Sequence, residues 1–534
     1  VSGEPLGYLA LVLHAHLPFV RHPEYEDFLE EDWLHEAITE TYIPLLAMMG
    51  HLEQDGVPFR LTMTLSPPLL AMLDDELLTR RYQRRIESLV EFAEREVERT
   101  RFEPAFNATA RQYLERFRQA RSLFSDAWHG RLIGAFRHFA ESGSLEIITC
   151  TATHGYLPLM LRREAVRAQV FTAVRSHQRL LGAAPRGIWL AECGYVPGVD
   201  EALREAGLRY FFLDGHGLLL GHPRPRLGVF APVATRAGVA AFARDPESSK
   251  QVWSSKEGYP GDPAYRDFYR DAGYDLDFDY VRPYIHPSGL RKFTGIKYHR
   301  ITGPGAAKEP YDPAAAHQRA VEHAGNFMFN RQRQMEHLAA HMPGRQPIVV
   351  APYDAELYGH WWYEGPEFLE ALFRKLHAEQ SQVLAATPWE YLERQPRLQV
   401  VEPSASSWGY QGYHEVWLNP SNDWVYRHLH KASDRMVELA NANPDPGGAL
   451  RRALDQAARE LLLAQSSDWA FIMKTGTMVD YAVRRTREHI ARFWRLERMA
   501  AQGRVEEPAL AALEARDCVF PELDFRVYRS DHAF

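Results

Sequence analysis

Cysteine is nearly absent: the chain has three in 534 residues. Cys150, Cys193 and Cys518 lie far apart with no CxxC, which excludes a disulfide framework. Lysine is scarce as well, 8 against 54 arginines, and the formal net charge is -8. That balance removes the basic footprint of a nucleic-acid binder, and the arginine excess reads as a coding bias without a function. No apolar run approaches the ~20 residues of a membrane span, and the first residues lack the charged and apolar regions of a signal peptide. The expectation is a cytoplasmic protein with no nucleic-acid and no membrane partner, acting as a monomer. The sequon at Asn107 is then silent, because glycosylation requires secretion.

Aromatic residues are plentiful, with 12 Trp and 25 Tyr, many of them in loops rich in Gly and Pro. Flat rings in loops suit the apolar faces of sugars, while most of the others fill a core. Seven short apolar runs alternate with helical stretches: 8–13, 59–64, 145–149, 187–191, 210–213, 239–243 and 348–351. Strands alternating with helices pair in parallel through right-handed crossovers, which predicts an α/β fold, a distorted TIM-like (β/α)7 barrel over residues 1–400. Residues 73–135 form a charged amphipathic helical insertion, read as a lid or side domain. Residues 401–534 form an all-α C-terminal domain, with helices expected over 448–465 and 478–501. The stretch 245–285, rich in Tyr, Asp, Gly and Ser, reads as a long functional loop.

Two of the strands end in acids, at Glu192 and at Asp354 with Glu356 close behind. A retaining glycosidase needs such a pair, one carboxylate to attack the anomeric carbon and one carboxyl to protonate the departing oxygen. In an extended chain Ile188, Leu190 and Glu192 share a face, which predicts an inward row leading into a pocket at the strands' C-terminal ends. Asp214 ends another strand and competes for a catalytic role, with a structural or pKa-setting role favoured. His14 and His16 at the end of the first strand project together. Spacing alone leaves two readings open: neutral imidazoles that bind sugar hydroxyls, or, with His154 and Asp354, the metal site of a zinc-dependent deacetylase.

His14-Ala-His16-Leu-Pro, Thr151-Ala-Thr-His154-Gly-Tyr, Trp189-Leu-Ala-Glu192-Cys, Ala351-Pro-Tyr-Asp354-Ala-Glu-Leu-Tyr-Gly-His360-Trp and Ser466-Ser-Asp468-Trp469 follow one another along the chain. In kind and order they resemble the five motifs of glycoside hydrolase family 57, and the layout is similar to that family's 1,4-α-glucan branching enzymes. The resemblance implies an α-1,4-glucan substrate and no metal or other cofactor. It makes Glu192 the nucleophile and Asp354 the proton donor, with Arg244, Gly261, Trp408, Asp468, His14, His16, Trp33 and His154 as substrate contacts. Trp408, in a Gly- and Ser-rich stretch, is expected to stack on sugar. The family's characterised branching enzymes carry a long loop with a tyrosine over the site; here the matching stretch, 216–232, is short and has none. Its loss favours water as acceptor. An amylase or 4-α-glucanotransferase of the same family is therefore the alternative, and a non-catalytic glucan-binding protein a more remote one.

Overall fold

A computed structural model describes residues 4–254, 257–303, 305 and 307–531. Ten strands run β1 (Gly7–Ala15), β2 (Leu61–Leu65), β3 (Leu145–Cys150), β4 (Gly187–Trp189), β5 (Tyr210–Leu213), β6 (Val233–Ala234), β7 (Ala240–Ala243), β8 (Ile348–Asp354), β9 (Val383–Ala385) and β10 (Gln399–Val400). They form one curled sheet in the order β10-β6-β7-β5-β4-β3-β2-β1-β8, with β9 beside β1. The seven expected strands are β1 to β5, β7 and β8. Every neighbouring pair among them is parallel, which places all their C-terminal ends at one rim. No strand ladder joins β7 to β8. There the ring is drawn together by a backbone bond from Asp245 N–H to the Val350 carbonyl, 2.9 Å.

Alternation sorts the side chains into two layers. Tyr8, Ala10 and Val12 of β1 meet Ile348 and Val350 of β8, with Trp189, Phe212 and Phe242, inside the barrel. Leu9, Leu11, Val349 and Ala351 pack outward against helices. Ile188 and Leu190 also face outward, onto a second layer with Val170, Leu203 and Phe211. The expected inward row through Ile188 and Leu190 to Glu192 is therefore wrong, and Trp189 holds the inward position. On β8 Asp354 continues the inward parity of Ile348 and Val350.

The insertion is a helical hairpin, Glu76–Arg99 and Pro104–Ser122. None of its residues is among those that line the cleft described below. Its charged face instead anchors the segment that follows β7. Tyr280 and Tyr298 donate to the Glu96 carboxylate at 2.8 and 2.6 Å, and Arg85 donates to the carbonyls of Tyr284 and Phe293. The C-terminal part is helical as expected: Trp424–Ala442, Gly448–Ala464, Ser467–Thr475, Val479–Ala501 and Glu507–Arg516. None of the helices among the described residues is long and apolar enough to cross a membrane.

Candidate active site

The rim of the barrel opens into a cleft of about 600 Å³ lined by His14, His16, Trp33, His154, Glu192, Arg244, Asp354, Trp408 and Asp468. Nine of the ten residues singled out by sequence thus meet in one cavity. The tenth, Gly261, is not among its lining residues. It belongs to the turn Tyr259–Gly261, whose neighbour Asp262 pairs with Arg319 on the helix Pro313–His341 at 2.8 Å.

Glu192 reaches the cleft through a turn rather than a strand. β4 stops at Trp189, and Glu192 and Cys193 then take φ of +61° and +51°. Two consecutive non-glycine residues in the left-handed region cost on the order of 1–3 kcal/mol each, so the surroundings must hold them. They are held from the C-terminal part of the chain: Trp408 N–H donates to the Glu192 carbonyl at 2.9 Å, and Tyr195 and Ser406 exchange backbone bonds at 2.9 and 3.0 Å. His154, at φ +57°, is pinned in the same way, its carbonyl accepting from Ser467 N–H at 3.1 Å. The segments around 408 and 467 are therefore built into the catalytic loops.

The indole N–H of Trp408 donates to Glu192 Oε2 at 2.7 Å. Its edge is thus committed to the carboxylate, a role that stacking on sugar alone does not describe. Burial pushes the Glu192 carboxyl up to about 8, against the pull of this bond and with help from the charge of Asp354. Burial and then the charge of Glu356 push Asp354 up to about 8 as well, opposed by Arg244. Asp354 makes no hydrogen bond or ion pair among the described residues. A bound donor on Glu192 favours its anion, while a desolvated, unpartnered Asp354 keeps its proton. Two interacting carboxyls of this kind share protons as a pair.

The competing acids are occupied. Glu356 Oε1 accepts from Tyr42 Oη at 2.5 Å and from His16 N–H at 3.1 Å. Asp214 accepts from Arg244 and, at 3.0 Å, from His216 Nδ1. Arg244 is accordingly paired, but with Asp214 rather than with its neighbour Asp245, which caps the helix Pro246–Trp253. Its guanidinium still faces the cleft, 5.8 Å from the Trp408 ring.

The histidines form a bonded stack. His14 Nε2 meets His154 Nε2 at 3.0 Å, and His154 Nδ1 meets Ser467 Oγ at 2.8 Å. His16 joins Ser66 Oγ at 2.8 Å and the Asp468 carboxylate at 3.1 Å, and its ring lies 3.8 Å over that of His154. Burial pulls His14 and His154 well below the usual histidine value, so both are neutral imidazoles. Asp468 is held down at about 2, where burial is outweighed by His16. His16, His154 and Asp468 lie close enough to hold a metal ion. Parallel rings at 3.8 Å, however, aim their in-plane lone pairs side by side, and both nitrogens of each ring already have partners. That argues against metal ligation; a sugar hydroxyl can bond the spare lone pairs of the Asp468 carboxylate or exchange with one of these ring partners.

Sequence reasoning missed Glu36, Trp253, His360, Trp361, Tyr410, Trp417 and Phe471, which also line the cleft. Trp361 is 52% exposed and Tyr410 67%. The short stretch 216–232 contributes nothing to the lining. It is tied back to the far wall, with His216 Nε2 bonded to the Gly412 carbonyl at 2.9 Å and His222 exchanging backbone bonds with Glu402.

An aromatic-walled cleft with buried carboxyls at the rim of a parallel barrel defines a carbohydrate-active enzyme. The chain belongs to glycosyl hydrolase family 57, whose model matches residues 10–304, while a model of the 1,4-alpha-glucan branching enzyme C-terminal region matches residues 428–528. The 1,4-alpha-glucan branching enzyme TK1436 of Thermococcus kodakarensis is 33% identical over 98% of this chain and 79% of its own length. Among solved structures, the alpha-amylase AmyC of Thermotoga maritima is 46% identical, with a TM-score of 0.92 over 99% of this chain and 100% of that one. The GH57-type branching enzyme of Pyrococcus horikoshii is 35% identical, with a TM-score of 0.88 over 99% and 97% of the two chains.

Proposed function

We propose that the protein is a 1,4-α-glucan branching enzyme acting by retaining double displacement. Glu192 attacks C1 of an α-1,4 linkage while Asp354 protonates the departing oxygen, giving a covalent glycosyl-enzyme. Asp354 then deprotonates a 6-hydroxyl of a second glucan, and the transferred chain becomes an α-1,6 branch. The observation that carries this reading is the asymmetric carboxyl pair, Glu192 held by the Trp408 N–H and Asp354 without a hydrogen bond or ion pair among the described residues. Neutral His14 and His154, with His16 and Asp468, supply donors and acceptors to the sugar bound on Glu192. Two of the three thiols are buried and all are free, which suits a reducing cytoplasm. We take a monomer as the working unit.

A second reading, α-amylase, is favoured by one observation: the 216–232 stretch does not cover the cleft, so water reaches the glycosyl-enzyme. The 46% identity to a protein described as an alpha-amylase points the same way. The test is to incubate amylose with the enzyme and measure α-1,6 linkages and new reducing ends in one digest. Branches above the level of a heat-killed control support transfer; reducing ends without branches replace it by hydrolysis.

A further inference from the structure

Two carboxyls facing the cleft make no hydrogen bond or ion pair among the described residues. One is Asp354; the other is Glu36, on the helix Asp32–Ala37. Burial and the charges of Glu40 and Asp32 hold the Glu36 carboxyl well above its usual range, which favours the protonated form that can both donate and accept. Trp361 lines the same cleft, and the two are linked through Glu40, one turn after Glu36, whose carboxylate bonds His360 beside Trp361. An indole 52% exposed is ordinarily mobile, but this one is fixed. It stacks on Phe268 at 4.2 Å, and His360 beside it bonds Glu40 at 2.6 Å and accepts at its carbonyl from Arg266 at 3.1 Å. The turn can sit this close only because residue 359 is glycine. At φ +110° a Cβ there would lie 1.8 Å from the Glu40 carbonyl oxygen.

The position of this pair follows from the two catalytic acids. Trp408 bonds Glu192 and His154 lies 3.8 Å from it, whereas Glu356 and the turn carrying His360 and Trp361 follow Asp354 directly at the end of β8; His14, paired with Asp354 in the β1–β8 ladder, and His16, whose N–H bonds Glu356, stand between the two groups. In double displacement the sugar bonded to the nucleophile occupies the first group, and the leaving chain and later the acceptor meet the wall on the acid/base side. Resting on the transfer reading above, we propose that Trp361 and Glu36 form the acceptor wall: the indole stacks on the acceptor glucose, and Glu36 binds a hydroxyl of that sugar so that its reactive hydroxyl faces Asp354. Both are positioning residues. They decide how often a glucan rather than water takes the chain, which matters most where the 216–232 stretch does not cover the cleft.

The test uses the full chain and amylose, and reads the share of cleaved chains passed to any glucan hydroxyl against the share passed to water. Trp361→Ala and Glu36→Ala should each shift this partition toward water about fivefold or more, a change equal to losing one stacking or hydrogen-bond contact. Glu36→Gln, neutral and of the same shape, should stay within about twofold of the parent. A merely structural role would lower transfer and hydrolysis together, so an unmoved partition in both alanine variants overturns the proposal, as does failure of the Gln variant to rescue. A parent that only hydrolyses sinks the branching reading separately. The wall is then judged by maltotriose inhibition, which the alanine variants must weaken about fivefold or more; unchanged inhibition overturns it.

Discussion

Replacing Trp408 by Phe removes the indole N–H 2.7 Å from Glu192 Oε2 together with the rest of the pyrrole ring, and keeps a smaller aromatic ring in place. A hydrogen bond to a charged group contributes about 1.5–3 kcal/mol. At 1.36 kcal/mol per tenfold, that corresponds to roughly a 10- to 150-fold fall in kcat/KM. The pH profile should move as well. The bond opposes the burial that already pushes Glu192 up to about 8, so its loss raises that value further. The nucleophile must be ionised, hence the acidic limb of the rate profile shifts to higher pH. The assay is initial rates of amylose cleavage from pH 5 to 9, with α-1,6 linkages and reducing ends counted together; both products should fall in proportion. If Trp408 acts as a stacking platform alone, Phe conserves the platform. Rates within about threefold of the parent and an unmoved acidic limb would then refute the reasoning.

Glu192→Gln and Asp354→Asn should each lower kcat by about 10⁴ or more, with folding intact by circular dichroism; near-parent turnover in either contradicts the assignment. Glu192 also makes stability depend on pH: with its folded value raised, the unfolded chain binds fewer protons between about pH 4 and 8, and stability falls as pH rises through that window. Glu192→Gln should accordingly unfold later than the parent at pH 8, by about 4 kcal/mol, and equal it at pH 4, as read by denaturant midpoints. Glu356→Gln weakens the bonds from Tyr42 and His16, and a loss of roughly 1–3 kcal/mol is expected, seen as a lower melting temperature. Dialysis against EDTA should leave the rate unchanged; loss restored by one metal would return the histidines to the zinc reading.

The barrel was legible because its strands are short apolar runs spaced by helices, and all seven fell within a few residues of their expected positions. Asp354 was legible for the same reason, since its strand continues unbroken to the acid. Glu192 was identified by its residue type and motif, but its geometry was not. Alternation assumes extended backbone, and the left-handed turn at Glu192 and Cys193 breaks it. The bond between Trp408 and Glu192 spans 216 positions, and no local pattern encodes such a contact. Glu36 sits one turn after Trp33 on the same short helix, and that i, i+3 spacing was the available signal for it. Trp361 is the last residue of a motif that was recognised, but whether an aromatic faces a core or a cleft depends on packing from elsewhere in the chain.

The central claim is that Glu192 becomes covalently bonded to glucan. The most direct test is to trap the intermediate on Asp354→Asn with an activated α-glucosyl fluoride and map the modified peptide by mass spectrometry. The account requires one glycosyl adduct, on the peptide carrying Glu192, and its disappearance in Glu192→Gln. An adduct on Asp214 or Glu356, or active turnover with none, would contradict it.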